Sequence, residues 1–140
     1  EKYGYSIKHP GSWLLNERSE GLIFFKNPEG NSLDTEPTPG VTIRIYPSHE
    51  NLPNNQQTRL PFKEWIKEKA PDFFCDYDDK QQTTLNNIPV YVFSGNCFAV
   101  DMSKDWLLEK NGVVYQISII KIRHKSLEIE NRMVESFKFL

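Results

Sequence analysis

Asn111-Gly112, set between the runs 106–110 and 113–122, constrains this chain more than any other pair of residues. A two-residue hairpin turn needs positive φ at its centre, which Asn and Gly supply at little steric cost. With β-favouring residues on both sides, the pair predicts an antiparallel hairpin. Its second arm is long, and Val113, Val114, Tyr115, Ile117, Ile119, Ile120 and Ile122 put apolar side chains on both faces. Such a strand belongs inside a sheet, and each face of that sheet needs a cover. The same run is broken by Gln116, Ser118 and Lys121, far short of the roughly 18 apolar residues of a membrane-spanning helix.

The rest of the chain supplies more strands and two covers. Asn86-Asn87 separates 81–85 from 89–95 and predicts a second tight hairpin, because Asn tolerates positive φ. In its second arm Tyr91 and Phe93 oppose Val90 and Val92, so both faces of that strand are buried too. Near the start, Tyr5, Ile7 and His9 share one face of an opening strand that ends at Pro10-Gly11. Trp13-Leu14-Leu15 begins a second strand, 16–21 reads as a polar turn, and Leu22-Ile23-Phe24-Phe25 returns, giving an antiparallel meander. Val41, Ile43 and Ile45 mark another strand.

Two helices are expected. Pro61 suits a first helical position, and Phe62, Trp65, Ile66 and Lys69 follow at helical spacing before Pro71. A second begins after Ser126 as N-cap, with Ile129, Met133 and Phe137 as its apolar stripe. Strands joined by hairpins and interleaved with two helices predict an α+β fold over 1–140 as one domain: an α/β/α sandwich on a central antiparallel sheet of about six or seven strands. At 140 residues such a chain buries about two-thirds of its unfolded surface.

Composition excludes some functions. With 17 Lys and Arg against 19 Asp and Glu, the formal net charge is -2, so the domain-wide basic field of a nucleic-acid binder is missing. Cys75 and Cys97 make one pair with 21 intervening residues. In an oxidising compartment a bridge between them would add about 3 kcal/mol; in a reducing one they are two buried thiols.

Three blocks carry a resemblance: 3–10 through Trp13, 83–91, and 133–140. In that order they resemble the family of PsbP, the extrinsic subunit of photosystem II, and more closely its exported bacterial relatives. The resemblance implies an α/β/α sandwich, export to an extracytoplasmic compartment, and often a lipid-anchored cysteine upstream of Glu1. It implies neither catalysis nor a cofactor. A fold does not transfer function.

Candidate sites are few. Asp76, Asp78 and Asp79, with Asp72 nearby, could offer carboxylates to a divalent cation, but Lys80 stands where a further ligand would fall and no glycine follows, so a solvated acidic loop is the simpler reading. His9, His49 and His124 have no zinc-ligand spacing. Ser94-Gly95 lacks the flanking glycines of a nucleophile elbow, and neither cysteine has a partner motif. Lys121, Arg123 and Lys125 alternate at the end of the last strand and, with Arg59, could meet an anionic partner; a solvated strand end is the alternative. Trp13, Trp65 and Trp106 suit a core better than a sugar-stacking platform. The expectation is a non-catalytic extracytoplasmic protein-interaction or assembly module using the 47–61 loop and nearby strand ends, with a small-ligand or divalent-cation module as the alternative.

Overall fold

The structure, a computed structural model, describes residues 3–19, 21–26, 40–48, 60–68, 82–95, 102–121 and 127–140. Among them the chain runs through β1 (Tyr5–Ser6), β2 (Leu14–Ser19), β3 (Leu22–Lys26), β4 (Gly40–Tyr46), α1 (Phe62–Glu68), β5 (Gln82–Leu85), β6 (Ile88–Gly95), β7 (Met102–Lys110), β8 (Val113–Lys121), α2 (Glu128–Glu135) and β9 (Lys138–Phe139). Seven strands form one antiparallel sheet in the order β2-β3-β4-β8-β7-β6-β5, and β1 pairs with β9 in a separate ribbon.

Both predicted hairpins are present. Asn111 and Gly112 take φ of 53° and 80°, and Lys110 faces Val113 across the turn. Asn86 and Asn87 take φ of 48° and 66°, with Leu85 facing Ile88. The β8 strand is fourth of seven, between β4 and β7, as its two apolar faces require.

Alternation along the strands divides the core in two. On one face Ile23, Phe25, Val41, Ile43, Val90, Val92, Trp106, Leu108, Tyr115, Ile117 and Ile119 pack with Tyr5, Trp13, Met133, Val134 and Phe137. On the other, Tyr91, Phe93, Leu107 and Val114 pack with Phe62, Trp65 and Ile66 of α1. The first face is thus covered by α2 and the β1–β9 ribbon, the second by α1, giving an α+β fold in three layers. A seven-residue helix has little stability alone; α1 is held by the complete burial of Trp65 and Ile66. Trp13, Trp65 and Trp106 are all core residues.

Four local expectations are corrected. The opening strand does not join a meander with β2 and β3: only Tyr5 and Ser6 are strand, and they pair with Phe139 and Lys138 at the other end of the chain. The polar stretch 16–19 is strand, with Asn16 opposite Phe24 and Glu17 opposite Ile23. As an edge strand, β2 tolerates polar side chains that a central strand would bury. In α2 the buried positions are Glu130, Met133 and Val134, while Ile129 is 47% exposed. Phe137 reaches the core from beyond the helix end, so the buried face follows 130, 133 and 134, not 129. The N-cap residue of α2 is Leu127, with no side-chain capping bond; Ser126 lies outside the described residues.

Candidate functional site

The segment before β2 arches over the first face of the sheet and leaves a groove between itself and β2–β3. Tyr3, Tyr5, Ser6, Ile7 and His9 form one wall, Leu15 and Glu17 the other, and Ile23 and Phe25 the floor. Its volume is about 370 Å³, within the range of roughly 300–1,000 Å³ common to ligand sites. Register explains the composition: Leu15 is opposite Phe25 and Glu17 opposite Ile23, so all four side chains share the face toward the arm.

The arm is held at several points. The Tyr3 hydroxyl donates to Glu17 Oε1, and the Tyr115 hydroxyl donates to the Tyr3 carbonyl at 3.2 Å. The Lys8 N–H donates to Ser136 Oγ at 2.8 Å. The His9 ring lies 5.1 Å from that of Phe25, and its Nδ1 is 2.9 Å from the Pro10 carbonyl oxygen. Burial pushes the Tyr5 phenol well above its ordinary range, and the charges of Tyr3, Tyr115 and Glu17 push the same way. The neutral hydroxyl is therefore favoured there.

Leu14 and Leu15 are 60% and 58% exposed, on opposite faces of β2. Among the described residues no strand pairs with the outer edge of β2.

The second face carries a polar network. The Tyr46 hydroxyl donates to Gln116 Oε1 at 2.9 Å, Gln116 Nε2 donates to Asp105 Oδ1 at 3.0 Å, and the Ser118 hydroxyl donates to the same oxygen at 2.5 Å. Asp105 is buried. The network ties β4, β8 and β7 together, since a buried carboxylate must keep its donors. Burial raises the Tyr46 phenol, an effect opposed by the hydrogen bond and charge of Arg44.

Of the residues expected from sequence, Lys121 closes β8 opposite Met102. Arg59, Arg123, Lys125, Asp72, Asp76, Asp78, Asp79, Cys75, Cys97, His49 and His124 lie outside the described residues, as does most of the 47–61 loop. Among the described residues no group of three His, Cys, Asp or Glu could hold a metal ion, and no helix is long and apolar enough to cross a membrane. The groove itself was missed by sequence reasoning. Its visible signals were the shared face of Tyr5, Ile7 and His9 and the strand residue Leu15, while Glu17 lay in a stretch read as turn.

No family model and no curated protein matches this sequence. Solved structures do match in fold. A solution structure of the cyanobacterial PsbP (CyanoP) of Synechocystis sp. PCC 6803 superposes with a TM-score of 0.56 over 99% of this chain and 88% of that one, at 11% identity. The chain has a PsbP-like fold. A crystal structure from Bacteroides thetaiotaomicron VPI-5482 matches with a TM-score of 0.62 at 13% identity, covering 98% of this chain and 45% of that one. This PsbP-like chain therefore spans less than half the length of the Bacteroides protein.

Proposed function

We propose that this PsbP-like chain is a non-catalytic, extracytoplasmic recognition module that docks a protein partner, for interaction or assembly, through the groove and the β2 edge beside it. One observation carries the reading: Leu15 is 58% exposed at the mouth of an open groove floored by Ile23 and Phe25. Burying apolar surface of this kind yields about 25 cal/mol per Å² removed from water, and interface anchors are side chains that fill pockets and become fully desolvated there. The extracytoplasmic part of the reading is supported by the likeness in fold to a cyanobacterial PsbP.

The test is partner capture from the source organism with the wild-type chain and Leu15→Asp, followed by identification of the retained protein. Leu15→Asp places a charge on an exposed strand position, so the fold should persist, with melting temperature unchanged within a few degrees. Loss of one specific partner in the variant is expected; identical capture by both proteins refutes the groove as the docking surface. Fractionation of the tagged native protein checks the compartment.

A small-ligand module is the second reading, favoured by the groove volume of about 370 Å³. A ligand that binds only the folded chain must raise its melting temperature in a concentration-dependent way.

A further inference from the structure

We infer that the outer edge of β2 takes an added β-strand, an extended segment of a protein partner that carries two successive apolar residues and bonds the main chain of Leu15. This rests on the recognition reading above and names how its partner is held.

Backbone direction is the first reason. The Ile45 N–H donates to the Gly21 carbonyl at 2.8 Å, and a Cβ on Gly40 would stand 2.4 Å from the Phe25 carbonyl oxygen. The main-chain groups of Gly21, Ile23 and Phe25 therefore turn toward β4 and those of Phe24 toward β2, because bonded and non-bonded pairs alternate along an antiparallel ladder. Leu15 is opposite Phe25 and Asn16 opposite Phe24. Asn16 thus bonds inward, while the N–H and C=O of Leu15 point away from the sheet, where no described strand takes them up. Such groups are a template for another extended backbone.

Side chains are the second. Leu14 and Leu15 are each more than half exposed, on opposite faces. A strand laid against them sets one side chain beside each, and both must be apolar for the contact to bury apolar surface. The other edge strand, β5, exposes Gln82, Thr83 and Thr84 and keeps Leu85 half-buried, so the apolar edge is that of β2. In strand addition the main-chain bonds supply affinity and the alternate side chains supply specificity.

The extent of the edge is the third. The Trp13 N–H donates to the Pro10 carbonyl at 3.0 Å, where the chain turns away, and the β2–β3 register shifts between Glu17 and Ser19. A regular edge of residues 14–17 suits a short segment, and the irregularity beyond it limits further pairing.

A second copy of this chain fits the edge poorly. A two-fold antiparallel pair bonded through Leu15 must set odd-numbered residues against odd-numbered ones. Centred on Leu15, it places Leu14 against Asn16; centred on Asn16, it places Leu15 against Glu17; centred on Leu14, it needs the Trp13 N–H already given to Pro10. None of these gives both leucines an apolar neighbour and Leu15 its bonds, so the segment belongs to a different protein.

The test is an NMR titration of the whole chain with acetyl-Ser-Thr-Val-Leu-Thr-Ser-amide, a twin N-methylated at Val and Leu, and a twin with Ser in place of both. In the free chain the Asn16 amide should exchange with solvent more slowly than that of Leu15. The first peptide should shift the Leu15 amide proton downfield and slow its exchange, with a smaller change at Asn16. N-methylation should weaken binding about fivefold or more, the scale of one or two lost hydrogen bonds, and the serine twin should bind no better. Slow exchange of Leu15 in the free chain, equal binding of the N-methylated twin, or no response at Leu15 would each overturn the inference. Equal binding of the serine twin would overturn the apolar requirement, and a dimer in sedimentation with Leu15 protected would overturn the assignment to a different protein. All of these outcomes leave the wider reading to the Leu15→Asp capture, which fails or succeeds independently.

Discussion

The rings of Tyr5 and Phe137 stack with centroids 5.0 Å apart and planes 27° from parallel, so the first strand of the chain rests on the residue that precedes the last. Tyr115, from the central β8, presents its edge to both at 6.0 and 6.2 Å, and Phe139 meets Tyr115 at 4.9 Å. The wall of the groove is therefore built on the core through one aromatic cluster. Offset and edge-on ring pairs add about 0.5–1.5 kcal/mol each beyond the area they bury.

Phe137→Ala should destabilise the chain by about 3–5 kcal/mol, the usual cost of emptying a fully buried phenylalanine site. Chemical denaturation measures it. Hydrogen exchange should also show faster opening of residues 5–6, because their strand partners follow Phe137 directly. A loss below 1 kcal/mol would mean that the ring is not the support described.

Alkaline pH should weaken the fold. Burial raises the phenols of Tyr5, Tyr46 and Tyr115 above the ordinary value of about 10. Above that value the unfolded chain releases protons that the folded chain still holds. The unfolded state then binds fewer protons, and unfolding free energy falls as pH rises. Stability contributed by these groups is complete below pH 10 and is lost progressively above it. Denaturation midpoints between pH 8 and 11.5 should show this, with a smaller decline in Tyr5→Phe.

The two asparagines of the β5–β6 turn should respond differently to glycine. Both have positive φ, so backbone relief is available at either position. Asn86, however, also donates its side-chain amide to the carbonyls of Phe137 and of Glu135, the latter at 3.2 Å. Asn86→Gly should cost about 1 kcal/mol net through lost hydrogen bonds, whereas Asn87→Gly should be neutral or slightly stabilising. Equal effects in thermal unfolding would contradict the pinning of the hairpin tip to the end of α2.

Gly40 should not accept a side chain. A Cβ at this position would stand 2.4 Å from the Phe25 carbonyl oxygen, and backbone on the neighbouring strand cannot give way as a flexible side chain can. Gly40→Ala should cost about 1–3 kcal/mol, the range of forced overpacking, while Gly11→Ala, where the added carbon meets nothing within 4 Å, should be within about 0.5 kcal/mol of wild type. Denaturant midpoints of the two variants test the contrast.

What could be read from the residues in order was whatever depends on near neighbours. Asn111-Gly112 and Asn86-Asn87 set two hairpins because turn geometry is a property of two residues, and the alternation in β6 and β8 required covers on both faces because side chains alternate along any strand. The tertiary structure decided the pairings between distant segments. Tyr5 meets Phe139 although nearly the whole chain separates them, and no local pattern encodes which of several short strands will close such a loop. It likewise turned Glu130 inward in place of Ile129, since the buried side of a helix is set by the surface it lies on. The groove belongs to this second class. Leu15 ends a stretch read as strand and Glu17 sits in one whose polarity reads as turn, and they become a wall only because β3 fixes their register and the β1–β9 ribbon holds the arm above them.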